Sequence, residues 1–508
     1  MGLRIAIVHY HLRPGGVTRV IENAVLALKR VGGGETGPEV AVLVGSDPAA
    51  VEGATVKEVP GLGYLSKADG CSAEMLFQEL EEAAVSILGG APDLWHFHNH
   101  HLGKNVLMPE VVQRLAASGQ RLLLQLHDFP EDSRPTEYAS LPRPEMLYPD
   151  GAVHYATINE RDRTYLKEAG IPESRLHGLP NAVHLAEWDG SEEVCEEKKG
   201  SKRLLFYPTR AIRRKNLGEA LLLALLADDD AVVACSREPD NERWRPFHDR
   251  WRAFAETHGL PVAFAVVDRI SPADLGVGPS TEPTFSAWLE ASDFMITTSI
   301  AEGFGLAYLE PLGLGRPLIG RDLPAITRDF KAEGVVLEGL YERILVPRDW
   351  LPGDFGEELN RALTDQWAAY GLDGSSEAVA VAAEAMGTEE LIDFGRLNEK
   401  HQEQVLERLL TDGEAAAALS FDLGGERKPV SWLTERLSRG GDVSEASSSL
   451  AIINERFSLE AYGKRLGSCY AELMEMMMTK DEGEIDFFNH HAVLEAFLSP
   501  SQFFFLRS

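Results

Sequence analysis

Two glutamates with seven residues between them bracket the string Glu302-Gly303-Phe304-Gly305-Leu306-Ala307-Tyr308-Leu309-Glu310, which runs on through Pro311 to Gly315-Arg316-Pro317-Leu318-Ile319. Glycines let a backbone approach a ligand closely, and the N–H groups at a helix start suit a phosphate or a developing oxyanion. Glu302 sits at the turn and Glu310 about two helical turns further on, so each is placed to accept hydrogen bonds from sugar hydroxyls. For the glycines alone, a plain turn with surface acids is the favoured reading. The whole string points to chemistry.

A second group is cationic. Arg210-Ala211-Ile212-Arg213-Arg214-Lys215-Asn216 follows directly on the apolar run Leu204–Tyr207. Four cations within six residues, at the carboxyl end of a strand, sit where a diphosphate needs neutralising, and arginine can grip phosphate oxygens with two parallel bonds. A solvated basic turn is the plain alternative. A third group, Pro14-Gly15-Gly16-Val17, feeds a helix start after the first apolar run. It is neither a dinucleotide fingerprint nor a P-loop, since Gly-x-Gly-x-x-Gly and Gly-Lys-Ser/Thr are both absent, and a plain structural turn accounts for it as well as an anion site does.

Two other strings invite a metal. In Trp95-His96-Phe97-His98-Asn99-His100-His101 an extended chain puts His96, His98 and His100 on one side. No cysteine or acid lies close by, which argues against a metal and leaves core packing as the plain reading. Asp228-Asp229-Asp230 lies between a helical stretch and a strand, where a solvated turn is expected. His490-His491 reads as surface or packing.

These residues need elements to hold them. Leu3–Val8, Val40–Val44, Leu94–His98, Leu122–Leu126, Ala156–Ile158 and Leu176–Leu179 are short apolar runs separated by amphipathic stretches such as Val17–Arg30. Nearly all-apolar strands alternating with helices predict a parallel sheet covered on both faces. Asp189–Lys202 is charged and aperiodic, an expected linker. The alternation then restarts with Leu204–Tyr207, a helix at Leu217–Leu226, and Ala231–Cys235, Val262–Val267, Phe294–Thr298 and Pro317–Ile319. The predicted fold is α/β, with two Rossmann-like doubly wound parallel-sheet domains facing across a cleft, an extra helical region and a C-terminal tail. The expected divisions are residues 1–188, residues 203–450 with a helical insertion at about 352–442, a long helix within 451–480 (Phe457–Met477), and a tail over 481–508. The tail is rich in aromatics. It is expected either to pack on the body or to meet a partner or membrane.

The chain has 508 residues, 49 Lys+Arg against 80 Asp+Glu, and a formal net charge of −31. That acid excess argues against nucleic acid or an anionic membrane surface as partner, while leaving room for a local basic site for one small anion. Four scattered cysteines (Cys71, Cys195, Cys235, Cys469) have no metal spacing and suit a reducing compartment. The N-terminus does not read as a signal peptide, and no run approaches the roughly 20 apolar residues of a membrane helix. A cytoplasmic protein without stable membrane insertion is expected.

Taken together, the motifs resemble the retaining GT-B glycosyltransferases, and among them the nucleotide-sugar-dependent glycosyltransferase family 4. The resemblance covers about residues 3–330 and resumes at Phe457–Tyr470, similar to that family's terminal helix, which crosses back to the N-terminal domain. Its most specific part is the Glu302–Glu310 string. The resemblance implies a role for each matching residue. Gly15 and Gly16 would place backbone N–H groups by the donor phosphates, and His127 would contact the transferred sugar. Arg210 and Lys215 would bind the diphosphate and offset the leaving group's charge. Glu302 would hold sugar hydroxyls, with the backbone of Gly303, Phe304, Gly305 and Leu306 close to sugar and phosphate, and Glu310 would bind the ribose. His98 and Asn99 are acceptor-side candidates. Leu179-Pro180-Asn181-Ala182-Val183-His184 matches the family's interdomain Pro-Asn-Gly-Val-Asp, with Ala182 and His184 replacing Gly and Asp.

The resemblance implies a metal-independent hexose transfer with retention, no cofactor, and the nucleotide-sugar as co-substrate, UDP-glucose or GDP-mannose in type. The leaving phosphate can take the acceptor's proton, so no protein nucleophile is required. No Lys/Arg-rich amphipathic helix lies near the N-terminus, so a soluble hydroxyl acceptor is expected. A homo-oligomer is a further expectation. Two other readings fit the same fold: a catalytically silent sugar- or partner-binding protein, and a sugar-nucleotide epimerase.

Overall fold

The computed structural model describes residues 2–31, 37–67, 70–183, 200–228, 230–438, 443–476 and 485–508. The chain divides into two compact units. Unit 1 comprises residues 1–183, 366–372 and 455–499, and unit 2 comprises 184–365, 373–454 and 500–508.

Unit 1 is built on seven strands: β1 (Arg4–His11), β2 (Glu39–Ser46), β3 (Thr55–Glu58), β4 (Leu94–His98), β5 (Leu122–Leu126), β6 (Val153–Thr157) and β7 (Leu176–Gly178). They pair in parallel in the order β3-β2-β1-β4-β5-β6-β7. β4, β5 and β6 are buried along their whole length, as strands covered on both faces must be. One face is covered by the helices Gly16–Val31 and Leu459–Glu475, whose Leu459, Tyr462, Leu466, Cys469, Tyr470 and Leu473 join Ile5, Ile7, Val42 and Val44 in one apolar core. Ser458 starts the second of these helices by accepting the amide of Ala461 (3.2 Å).

Unit 2 carries a six-stranded parallel sheet of β8 (Arg203–Arg210), β9 (Ala231–Arg237), β10 (Val262–Ala263), β11 (Phe294–Thr297), β12 (Leu318–Arg321) and β13 (Leu340–Tyr341), in the order β10-β9-β8-β11-β12-β13. The expected strand Val262–Val267 stops at Ala263, because Ala265 takes a left-handed backbone (φ +52°) that breaks the pleat. The region 352–442 is helical at Phe355–Ala368, Ser376–Met386, Glu399–Thr411 and Ser431–Ser438. It also contributes β15 (Leu391–Asp393), β16 (Ser420–Asp422) and β17 (Arg427–Pro429), which pair antiparallel around β14 (Arg343–Pro347). Three-residue strands are too short for a period of two to be read.

Most of the expected linker, residues 189–199, lies outside the described residues, as do Cys195, His184 and Asp229. The aromatic tail is packed rather than presented. Phe497 lies against Phe129 (4.9 Å between centroids) and Tyr165 (4.9 Å) in unit 1, while Phe503, Phe505 and Leu506 are buried in unit 2. Among the described residues, no helix is long and apolar enough to cross a membrane.

Candidate functional site

In unit 2 the basic run and the glycine string converge. After β8 the chain makes a tight turn at Arg213–Lys215, and Asn216 then takes a left-handed conformation (φ +51°) to enter the helix Leu217–Leu226. The Lys215 carbonyl accepts bonds from the Tyr207 hydroxyl (2.8 Å) and the Thr298 hydroxyl (2.9 Å). The Ile300 amide donates to the Arg214 carbonyl (3.0 Å). With its backbone fixed in this way, Lys215 donates its ammonium to Glu302, and Arg214 reaches the other carboxylate oxygen at 3.2 Å.

Only 9% of the Glu302 side chain and 14% of the Lys215 side chain are exposed. Burial by itself would raise the Glu302 carboxyl, but the charges of Lys215 and Arg214 outweigh it and hold the group at about 2. Burial lowers the Lys215 ammonium from its ordinary value, with Glu302 pulling the other way. Both cations are thus held on an acidic carboxylate.

The glycine string is built for its turn. Gly305 starts the helix Leu306–Gly313 at φ +95°, and a Cβ there would stand 2.9 Å from the Ile326 side chain. Phe304 is buried edge-on to Phe330 (5.5 Å), which anchors the turn. Glu310 is exposed on that helix. The protein on one side of it raises its carboxyl, offset in part by Lys215.

Arg210 does not join this group. Its guanidinium pairs with Asp240 (2.8 Å), with more than half of each side chain exposed. The turn at 213–215 carries Arg214 and Lys215 to Glu302, whereas Arg210 stays at the strand end beside β9. Arg214 is therefore the residue that the sequence reading passed over, although it stood inside the basic run.

In unit 1 the candidates gather at the carboxyl ends of neighbouring strands, where open α/β sheets bind ligands. His127, just after β5, lies with its Nε2 2.9 Å from Nδ1 of His98, the rings stacked at 5.2 Å. His9, on β1, turns its Nδ1 to the His98 carbonyl (3.3 Å) and was not singled out from the sequence. Burial drives all three rings toward the neutral form, His127 to about 4 and His9 to about 3. Asn99 serves this group through its backbone and side chain. At φ +54° its side-chain oxygen accepts the amides of His127 (2.7 Å) and Asp128 (3.3 Å).

The left-handed Asn99 also ends the alternation of β4. His96 and His98 share a face (ring centroids 4.4 Å apart), but His100 turns away to the Leu147 carbonyl (2.9 Å). The three histidines expected on one side are thus not together. Among the described residues, no group of three or more His, Cys, Asp or Glu side chains is arranged to hold a metal ion. Gly15 and Gly16 are exposed at the start of the helix Gly16–Val31, and a Cβ on Gly16 would meet nothing within 4 Å. Neither packing nor backbone requires glycine at that point.

Two Rossmann-like parallel-sheet domains of this kind define the GT-B class of glycosyltransferase fold. Sucrose-phosphate synthase from Thermosynechococcus elongatus superimposes with a TM-score of 0.54 over 93% of this chain and 99% of that one, at 13% identity. HepE of Anabaena, solved with UDP and glucose, gives 0.53 over 92% and 99%, at 12% identity. No model of a known protein family matches the chain. The mannosylglucosyl-3-phosphoglycerate synthase of Petrotoga mobilis is 31% identical over 372 residues, 67% of this chain and 68% of that protein. The chain belongs to that family of glycosyltransferases.

Proposed function

We propose that this glycosyltransferase moves a hexose from a nucleotide-diphosphate sugar to a hydroxyl of a soluble, anionic glycoside, with retention and without a metal. The observation that carries the reading is the buried Glu302 carboxylate held by Lys215 and Arg214 beside the Gly305 helix start. These two cations receive the donor diphosphate. Arg210 is a third cation for it, since an exposed pair such as Arg210–Asp240 is held only weakly. Glu302 is then free to accept bonds from the sugar hydroxyls, and Glu310 from the ribose. In unit 1, His127 is the residue for the transferred sugar, Gly15 and Gly16 offer amides, and His98 and Asn99 set the position of His127.

In the reaction, the acceptor hydroxyl oxygen forms a bond to the anomeric carbon from the face the diphosphate leaves. The carbon–oxygen bond to the diphosphate breaks, and a phosphate oxygen takes the acceptor's proton. Lys215 and Arg214 offset the charge that grows on the leaving group. Because His127 is neutral, it can contribute hydrogen bonding rather than charge.

The relative's name supports mannose as the sugar and a glucoside of 3-phosphoglycerate as the acceptor, so GDP-mannose ranks above UDP-glucose. Incubating the protein with GDP-mannose and glucosyl-3-phosphoglycerate in EDTA, and reading product mass and anomeric configuration, tests every part. An inverted product would refute retention. Dependence on added Mg2+ or Mn2+ would refute the metal-free reading. Nucleotide binding without transfer from any nucleotide-sugar would refute the enzymatic assignment.

A further inference from the structure

Residues 500–508, which no motif accounts for, dock within unit 2 against the basic turn. Their last turn, Phe505–Arg507, packs on Arg213–Lys215. The Phe505 ring is buried between Phe355 (5.8 Å) and His401 (6.5 Å). Arg396 donates to the carbonyls of Phe503 (2.8 Å) and Ser501 (3.0 Å), and its guanidinium lies 4.4 Å from the Phe504 ring.

Arg213 joins this segment to the turn. It donates to the Ser508 carbonyl (2.7 Å) and, through two nitrogens, to Glu399 (2.6 and 3.0 Å). Glu399 opens the helix Glu399–Thr411, whose Gln402 donates to the side-chain oxygen of Asn216 (2.9 Å), the residue after Lys215. The turn is therefore held on the side of Arg213 by the segment and on the side of Asn216 by the helix. A lysine ammonium on a flexible stem finds a fixed place only if its backbone is fixed.

We propose that segment 500–508 and the Glu399–Thr411 helix act as a brace that sets the Arg213–Lys215 turn for the donor diphosphate, with Arg213, Glu399 and Phe505 as positioning residues. The inference rests on the donor-site reading above. It implies that loosening the brace weakens donor recognition while leaving the acceptor side untouched.

The test measures GDP and UDP binding by calorimetry, together with donor KM, acceptor KM and kcat. It uses the full chain and Phe505→Ala, Phe505→Leu, Glu399→Gln and Lys215→Ala, each well below its melting temperature. Phe505→Ala and Glu399→Gln are expected to weaken nucleotide binding and raise donor KM by about tenfold, with acceptor KM unchanged and Phe505→Leu close to wild type. Should Phe505→Ala fail to fold, the volume-conserving Glu399→Gln decides. Wild-type nucleotide binding and donor KM in the brace variants, with only a lower melting temperature, would reduce the segment to packing and overturn the proposal. Lys215→Ala separates the two readings. If it binds nucleotide like the wild type, the donor-site reading fails; if it loses binding while the brace variants keep it, only the brace fails.

Discussion

Replacing Lys215 by alanine is the sharpest test of the donor site, because its cost in stability and its cost in rate are set by different neighbours. The ammonium is largely buried on Glu302, so its removal deletes a charge-assisted hydrogen bond worth about 1.5–3 kcal/mol. Arg214 remains 3.2 Å from the carboxylate, which keeps the loss below the cost of a fully orphaned charge. In the wild type, Glu302 is held at about 2 against an ordinary 4.5, a difference worth about 3 kcal/mol. That contribution is present above pH 4.5 and is lost as pH falls through 2. Without Lys215 the carboxyl rises, so the stability gap between variant and wild type should narrow as the pH drops below 4.5. Catalysis should suffer more. A fixed cation facing a leaving diphosphate is worth about 10²–10³ in kcat. Steady-state transfer at neutral pH, with urea unfolding at pH 7 and pH 3.5 as the fold control, reads both. A folded Lys215→Ala with kcat within about threefold of wild type would refute the reasoning, as would a stability gap that does not change with pH.

Three further outcomes follow from the geometry. Gly16→Ala should keep or slightly raise the melting temperature, since its Cβ meets open space and alanine reduces the freedom of the unfolded chain by about 0.4–1 kcal/mol; transfer should fall all the same, and wild-type rates would remove Gly16 from the site. Acidification should destabilise unit 1. His9, His96 and His127 have folded values of about 3, 3 and 4 against 6.5, so the unfolded chain takes up protons that the folded one refuses as pH falls below 6.5. Glu131, pushed up to about 7 by burial, works the other way, but burial also lowers His98, His100, His101 and His154, so equal unfolding free energies at pH 8 and pH 5 would contradict the assignment. Arg321→Met should cost about 3–5 kcal/mol in chemical denaturation, because Arg321 is buried between Glu219 (2.6 Å) and Asp393 (2.9 Å) and its loss leaves two carboxylates without their cation; undiminished stability would refute that.

The parallel-sheet architecture was legible because its strands are nearly continuous apolar runs, a pattern that buried β4, β5 and β6 require. The basic run and the Glu302 string each stood out in the sequence, but their meeting, and which cations take part in it, did not. Which of four neighbouring cations turns inward depends on the short Arg213–Lys215 turn and the left-handed Asn216, neither of which leaves a periodic trace. The same kind of residue misled the histidine reading. A single positive φ at Asn99 ended the alternation that would have kept His100 beside His98, and Ala265 shortened β10 in the same way. His9 escaped notice because a histidine following the apolar run Leu3–Val8 looks like any strand end, although β1 continues to His11. In the small antiparallel sheet, β14 pairs with the three-residue strands β15 and β16 dozens of positions further on, which no local window can pair.

The helix Leu459–Glu475 places part of unit 1's core late in the chain. His96 and Tyr470, hydrogen-bonded at 2.9 Å, are separated by 374 positions. At a synthesis rate of about 5–20 residues per second, the early strands wait tens of seconds for the helix that covers them. During that interval the apolar face lined by Ile5, Ile7, Val42 and Val44 lacks the Leu459, Leu466 and Leu473 side chains that pack on it in the finished unit. Unit 1 is thus obliged to complete its folding after most of unit 2 has been made, and a chain released before residue 455 would expose that face to every neighbour it meets.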